Sequence, residues 1–308
     1  PQIMQKALPL FTQVLTDAKF DASVFNREMK RLELSLKERL VKPQVISNDA
    51  IWQALYADHP YGHPISGTLE TVAAINIEKV RQFYQKFYVT NNAVIAMVGN
   101  ITRKQAEKIA EQLTENLPKG EKPKALPQPK AVKKTTINKL FESTQTYYSL
   151  IQHGVERGHP DYVPLFVGNH LLGGNGFGSL LMEEVREKRG LVYSVYSYFI
   201  PLGVKGPFII GLSTKNASAY EADEVVKQTL TDFLSDISDE KLAAIKENLV
   251  GGFPLRIDSN SKIMGYLSMI GAYDLPLDYL DWFPEEVQKI TKEDVLDAWK
   301  RNIKTDEM

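Results

Sequence analysis

The chain has 308 residues, 43% of them hydrophobic and 24% charged, with a formal net charge of −1. This is globular composition for one large domain or two, with no bulk electrostatic pull towards nucleic acid or an anionic membrane. The absence of cysteine excludes thiol catalysis, disulfides and cysteine-held zinc or iron–sulfur centres, and no apolar run approaches the ~20 residues that span a bilayer.

Residues 1–41 are expected to be helical, broken near Thr16 to Ser23. In the second helix Phe25, Met29, Leu32 and Leu36 recur at i, i+4, i+7 and i+11, an apolar stripe, until Pro43 stops it. A helix is expected over Asp49 to Tyr56, then a loop from His59 to Pro64, then a helix from Ile77 to Phe87 capped by Asn76. Ala93 to Val98 is a short apolar run that reads as a buried strand, and Thr102 to Leu113 returns to helix. From Leu117 to Lys134 four prolines alternate with six lysines, the pattern of an extended, solvated linker. Beyond it, strands are expected at Gln145 to Ile151, Leu191 to Ile200 and Pro207 to Ser213. A helix is expected from Tyr162 to Leu172, and helices dominate from Ser218 to Arg301 with breaks near Gly251 to Pro254 and Asp274 to Pro276.

The two halves echo each other. Residues 70–80 align without a gap on residues 285–295, matching Val72 with Val287, Ile75 with Ile290 and Val80 with Val295. In each copy a polar cap, Asn76 or Thr291, opens a helix with an acidic residue in its first turn, where the helix dipole favours it. Two related α+β domains joined by the linker are therefore expected: residues 1–116, a linker at 117–134, and residues 135–308. The chain begins without Met or a signal-peptide pattern and stops just past a helix, so it is expected to be a piece of a longer polypeptide.

The chemistry-bearing residues are few. His59 and His63 alone have i, i+4 spacing among the five histidines, but Pro60 and Gly62 make a loop of the segment and no Glu lies between them; a packed loop explains the pair better than a metal site. The glycine run Gly173, Gly174, Gly176 and Gly178 follows a helix rather than a strand and lacks the Gly-Lys-Ser/Thr of a phosphate cradle. A flexible turn, a hinge or a close backbone approach suits it. Arg186, near a helix end closed by Gly190, and Tyr193, on the strand that follows, can grip a peptide carbonyl or carboxylate. Without context, a solvated charged helix end and a packed strand aromatic explain them better.

Together these segments resemble the M16 zinc metallopeptidase family, the group of pitrilysin, insulin-degrading enzyme and the mitochondrial processing peptidases. Residues 171–195, from Leu171-Leu-Gly-Gly-Asn-Gly-Phe-Gly through Glu183-Glu-Val-Arg-Glu-Lys-Arg-Gly-Leu-Val-Tyr193, are similar to its second-domain signature; residues 59–75 are similar to its first. Asp274 to Tyr279 and the helix after it also fit. The resemblance implies the α+β M16/LuxS-like metallohydrolase fold, a pair of homologous domains that each pack helices on one face of an antiparallel sheet, with the first domain incomplete here. It implies further that a His-x-x-Glu-His motif would precede this chain, and that the family's later ligand Glu is replaced by Ser35, a neutral and weak zinc ligand. Glu33 and Glu38 are displaced by roughly 200–300° around the helix, Glu38 less badly. Arg186 and Tyr193 occupy the positions that hold substrate backbone in the family. The implied function is a non-catalytic subunit that completes a peptide chamber for a zinc-bearing M16 partner with the His-x-x-Glu-His motif, binding peptide or unfolded polypeptide, without a cofactor of its own and exported to the periplasm of a Gram-negative bacterium. A structural scaffold and a truncated active zinc endopeptidase are the alternatives.

Overall fold

The computed structural model describes residues 2–308, with the side chains of residues 2, 3 and 5 left out; a helix start at Pro1 lies outside them. In chain order the elements are α1 (Gln2–Thr16), α2 (Ala22–Arg39), α3 (Pro43–Tyr56), α4 (Leu69–Ala73), α5 (Ile77–Phe87), α6 (Arg103–Thr114), β1 (Gln145–His153), α7 (Tyr162–Asn169), β2 (Val192–Phe199), β3 (Pro207–Lys215), α8 (Ala219–Ser235), α9 (Asp239–Gly251), α10 (Asn260–Ala272), α11 (Tyr279–Lys289) and α12 (Lys292–Asn302). Two compact units result. The first comprises Pro1–Leu40, Ile65–Ala125 and Ile257–Asp274; the second comprises Val41–Pro64, Leu126–Arg256 and Leu275–Met308. This spatial division assigns α3 to the second unit and α10 to the first, across the division suggested by composition alone.

The first unit is helical. Asp21 caps α2 by accepting from the Ser23 and Val24 amides, and Leu36 of α2 is buried with Val72 of α4 in the same unit. Asn76 caps α5 as its sequence foretells, accepting from the Lys79 amide. The expected strand at 93–98 does not form. Among the described residues this unit contains no strand for it to pair with, and an extended segment is a strand only through a ladder of inter-strand hydrogen bonds. Val94 and Ile95 are accordingly exposed. Pro43 also plays another part than expected: α2 ends at Arg39, and Pro43 opens α3 at its first turn, where its missing N–H leaves no bond unmade.

The second unit holds the antiparallel sheet, in the order β1-β3-β2. Register places Gln152, Phe208 and Phe199 side by side, and two residues on Leu150, Ile210 and Ser197. This face meets α12 and α8, where Trp299 stands edge-on to Phe199, Phe208 and Phe233 at centroid distances of 5.5, 5.3 and 4.7 Å. Gln152 ties β1 to the end of α12, donating to the Asn302 carbonyl at 2.7 Å and accepting from the Lys304 amide at 2.9 Å. Thr291 caps α12 in a reciprocal box with Asp294, the counterpart of the Asn76 cap on α5. On the opposite face Tyr56 of α3 packs edge-on against His153 of β1 and donates to the Lys205 carbonyl. Residues 117–134 form neither helix nor strand. The segment is nevertheless tied down: the Thr90 and Asn91 amides donate to the Pro118 and Lys119 carbonyls in the first unit, and His59 Nε2 lies 2.9 Å from the Pro127 carbonyl in the second.

Burial depresses two histidines of the second unit. His153 is pushed down chiefly by desolvation, aided by the nearby charges of Lys205 and His59 and opposed by a hydrogen bond to Leu55. Its Nε2 is buried without a partner. His170 is likewise pushed down by burial, against a hydrogen bond with Asn248. Unfolded, each titrates near ~6.5; between that value and the lower folded one the unfolded chain binds more protons, so stability rises with pH there. The stability from these two groups is therefore fully present above about pH 6.5 and is lost on acidification, by at most about 1.4 kcal/mol per pH unit and group. The urea midpoint of the second unit is expected to fall between pH 7 and pH 5, and His153→Phe, which keeps the ring against Tyr56, to flatten that fall; an unaltered pH profile in the variant would refute the assignment to His153.

Candidate substrate-binding site

Helix α7 runs into a wide π-helical turn over His170–Gly174, and a second such turn carries Met182–Glu187. Wide turns of this kind gather at functional sites. Leu181, Met182 and Val185 are buried and anchor the second turn, which directs Arg186 outward. Its neighbours neutralise one another: Lys188 pairs with Glu184 and Glu183, Arg189 with Glu184, and Lys241 with Glu183. Those partners hold both carboxyls below the usual range, led by the Lys241 hydrogen bond on Glu183 and the Lys188 hydrogen bond on Glu184. Arg186 alone among these cations has no carboxylate partner among the described residues. Its guanidinium instead lies over the ring of Phe177, 4.7 Å from the centroid.

Phe177 sits at the tip of the glycine run. That run is held against β2 by a buried reciprocal pair: Asn169 Nδ2 donates to the Ser197 carbonyl at 3.0 Å, and Ser197 Oγ donates to Asn169 Oδ1 at 2.8 Å. Gly173 comes so close that a Cβ there would lie 2.6 Å from the Ser197 amide nitrogen. Of the alternatives left by the sequence, a close backbone approach is what Gly173 makes. Gly174 is similarly crowded by Asn169, Gly178 by Asn175, and Gly176 has a φ of +54° with open space around it.

Tyr193 follows on β2, and a register shift between Val192 and Val195 breaks the expected alternation. A bulge re-aims side chains locally, and Tyr193 is 85% exposed. Strand β2 is an edge strand, paired only with β3 among the described residues. The glycine run and residues 193–198 line one open cleft of about 360 Å³, with Phe177 and Met182 on its wall. The structure thus brings the glycine run, Tyr193 and, through Phe177, Arg186 together in the second unit. Phe177 and the Asn169–Ser197 lock escaped the sequence reading. An asparagine ending a helix before a glycine run was the available signal for the lock; Phe177 gave none.

Ser35 lies on the exposed side of α2 in the first unit. Among the described residues no group of three or more His, Asp or Glu is arranged to hold a metal ion. Three of the five histidines are engaged elsewhere: His59 accepts from the Tyr61 amide through Nδ1 and meets the Pro127 carbonyl through Nε2, His159 accepts from the Asp161 amide, and His170 faces Asn248. No helix among the described residues is long and apolar enough to cross a membrane.

Residues 74–249 match the model of the peptidase M16 inactive domain. The chain is 31% identical over 260 residues to a protein of Bacillus subtilis strain 168 named uncharacterized zinc protease YmxG, covering 83% of this chain and 63% of that one. It is 24% identical over 311 residues to a Helicobacter pylori protein named non-peptidase homolog YmxG, covering 98% and 70%. A crystal structure of a peptidase M16 inactive domain from Pseudomonas fluorescens superposes with a TM-score of 0.95 at 34% identity, over 98% of this chain and 73% of that one. The chain spans about three fifths of the length of the first curated relatives it matches. With the α+β fold, the signature segments and these matches in agreement, the chain belongs to the peptidase M16 family, through its inactive domain.

Proposed function

We propose that the chain is a non-catalytic subunit of an M16 peptidase pair, which lines part of a peptide chamber and clamps substrate backbone for a zinc-bearing partner carrying the His-x-x-Glu-His motif. The observation that carries this reading is Arg186: a guanidinium with no carboxylate partner among the described residues, held over Phe177 beside the cleft that the exposed Tyr193 lines. An unpaired guanidinium and a free phenol are donors awaiting acceptors, and an extended peptide offers a carbonyl at every residue. Ser35 stands in the slot of the family's ligand Glu, so zinc and the general base belong to the partner. The chain acts in the periplasm, a placement that its lack of cysteine suits.

The test is co-purification with a His-x-x-Glu-His subunit and the kinetics of the complex. Arg186→Ala with Tyr193→Phe is expected to lower kcat/KM about 100-fold, the loss of two hydrogen bonds of which one is charged, with the partner's zinc content unchanged. Unchanged kcat/KM would leave a scaffold role instead. Zinc bound near one per chain by the full-length protein alone would sink the non-catalytic reading.

A further inference from the structure

The chain enters the second unit at Val41 and leaves it again after Pro64, so residues 41–64 join that unit as a strap apart from the rest of its sequence. The strap is seated on β1 through a cluster of four rings. Tyr56 of α3 packs against His59, Tyr61 and His153 at centroid distances of 5.8, 5.5 and 5.3 Å, and His59 meets Tyr61 at 4.9 Å. Leu55, Tyr56 and His59 are buried there. Polar contacts complete the seat. The Tyr56 hydroxyl donates to the Lys205 carbonyl at 3.0 Å, His59 Nε2 donates to the Pro127 carbonyl at 2.9 Å, and His153 bonds to the backbone carbonyl of Leu55.

The seat is built around a neutral imidazole. His153 Nε2 is buried without a partner, so a proton on it meets no acceptor and leaves a cation out of water. The neighbours offer no relief. The titratable groups of the cluster are Tyr56 of α3, whose phenol burial pushes up, His59 and Tyr61 of the loop that follows, and Lys205 between β2 and β3. None of these is a carboxylate, and the charges of Lys205 and His59 oppose a cation at His153. His59 Nδ1 already accepts from the Tyr61 amide at 3.1 Å, so it cannot also hold a proton without losing that bond. The sheet itself is insulated from these events. Gln152, the residue before His153, faces the Trp299 side, and side chains alternate along a strand. We propose that residues 41–64 form an acid-released strap, which lifts off β1 when His153 takes a proton while the sheet and the helices on its Trp299 face stay folded.

Amide hydrogen exchange of the full 308-residue chain tests this between pH 7 and pH 5.5, with rates corrected for the intrinsic effect of pH on exchange. Opening of the strap exposes His153, which then binds a proton near ~6.5, so the open state gains as pH falls below that value. Peptides spanning α3 are expected to be less protected than those of β3 at both pH values, because the strap opens without the sheet. Their protection is expected to drop several-fold on acidification, by at most about tenfold per pH unit for one proton. His153→Phe should abolish that drop, and His170→Phe, which alters the other depressed histidine, should leave it in place. Equal protection of α3 and β3 would mean that the strap opens only with the whole unit, and overturns the proposal. So does α3 protection that changes by less than about twofold with pH, or a drop that persists in His153→Phe. Should His153→Phe fail to fold, the comparison of α3 with β3 in the parent chain still decides.

Discussion

Trp299→Ala is expected to destabilise the second unit by about 4 kcal/mol, within the range for emptying an aromatic site in a packed core. The indole is fully buried. It meets Phe199 and Phe208 of the sheet and Phe233 of α8 edge-on, and its Nε1 lies where a Cβ on Gly168 of α7 would be 2.2 Å away. One side chain therefore joins the sheet to α7, α8 and α12. Against a typical total of 5–15 kcal/mol the loss is large, and urea unfolding should show it as a midpoint lowered by about 1–2 M. Trp299→Phe is expected to lose about a third as much. The indole Nε1 is buried without a hydrogen-bond partner, so the replacement removes packing and no bond. A Trp299→Ala midpoint within about 0.3 M of the parent would show that this junction does not hold the core.

The second large effect concerns the glycine run and separates two of its members. Gly173→Ala is expected to cost about 3 kcal/mol, the upper part of the range for overpacking. Its Cβ would fall 2.4 Å from Ser197 Oγ and 2.6 Å from the Ser197 amide nitrogen, and the second of these is backbone that cannot swing aside. Relief requires the loop to leave β2, which breaks the buried Asn169–Ser197 pair and opens the cleft. Peptide binding should be lost with the stability. Gly176→Ala meets no atom within 4 Å, and only its φ of +54° opposes the change, so about 1 kcal/mol is expected. Thermal unfolding of the two variants checks this: a gap of several degrees, with Gly173→Ala the lower, is the expected result at this size. Equal midpoints would mean that the loop yields more easily than its packing implies.

The comparison of these glycines shows where sequence reasoning stops. Four glycines in six residues announce a special backbone, but not which of them is a close approach and which a left-handed turn. The same holds for Pro43, which signals a helix boundary without saying whether it closes α2 or opens α3. Caps were more legible, because a cap is a contact between residues three apart in the chain: Asn76 meets Lys79 and Thr291 meets Asp294, as local sequence foretells. The segment at 93–98 failed for the opposite reason. Its apolar composition is local, but a strand depends on a partner elsewhere, and the first unit offers none among the described residues.

Arg186 and Tyr193 stood out in the sequence only beside a family signature, since a basic residue near a helix end and a tyrosine on a strand are ordinary in isolation. Their surroundings are tertiary. The π-helical turn, the cancellation of Lys188 and Arg189 by Glu183 and Glu184, the ring of Phe177 under the guanidinium and the bulge that turns Tyr193 outward all join residues through backbone geometry or across the fold. Sequence by itself determined the helix caps, the α+β class, the proline–lysine segment and the family signature, because each is written in short-range spacing. Only the tertiary structure decided which of the cations around residues 183–189 has no counter-ion among the described residues and which aromatic holds it, because charge pairing and ring contacts depend on distances in space.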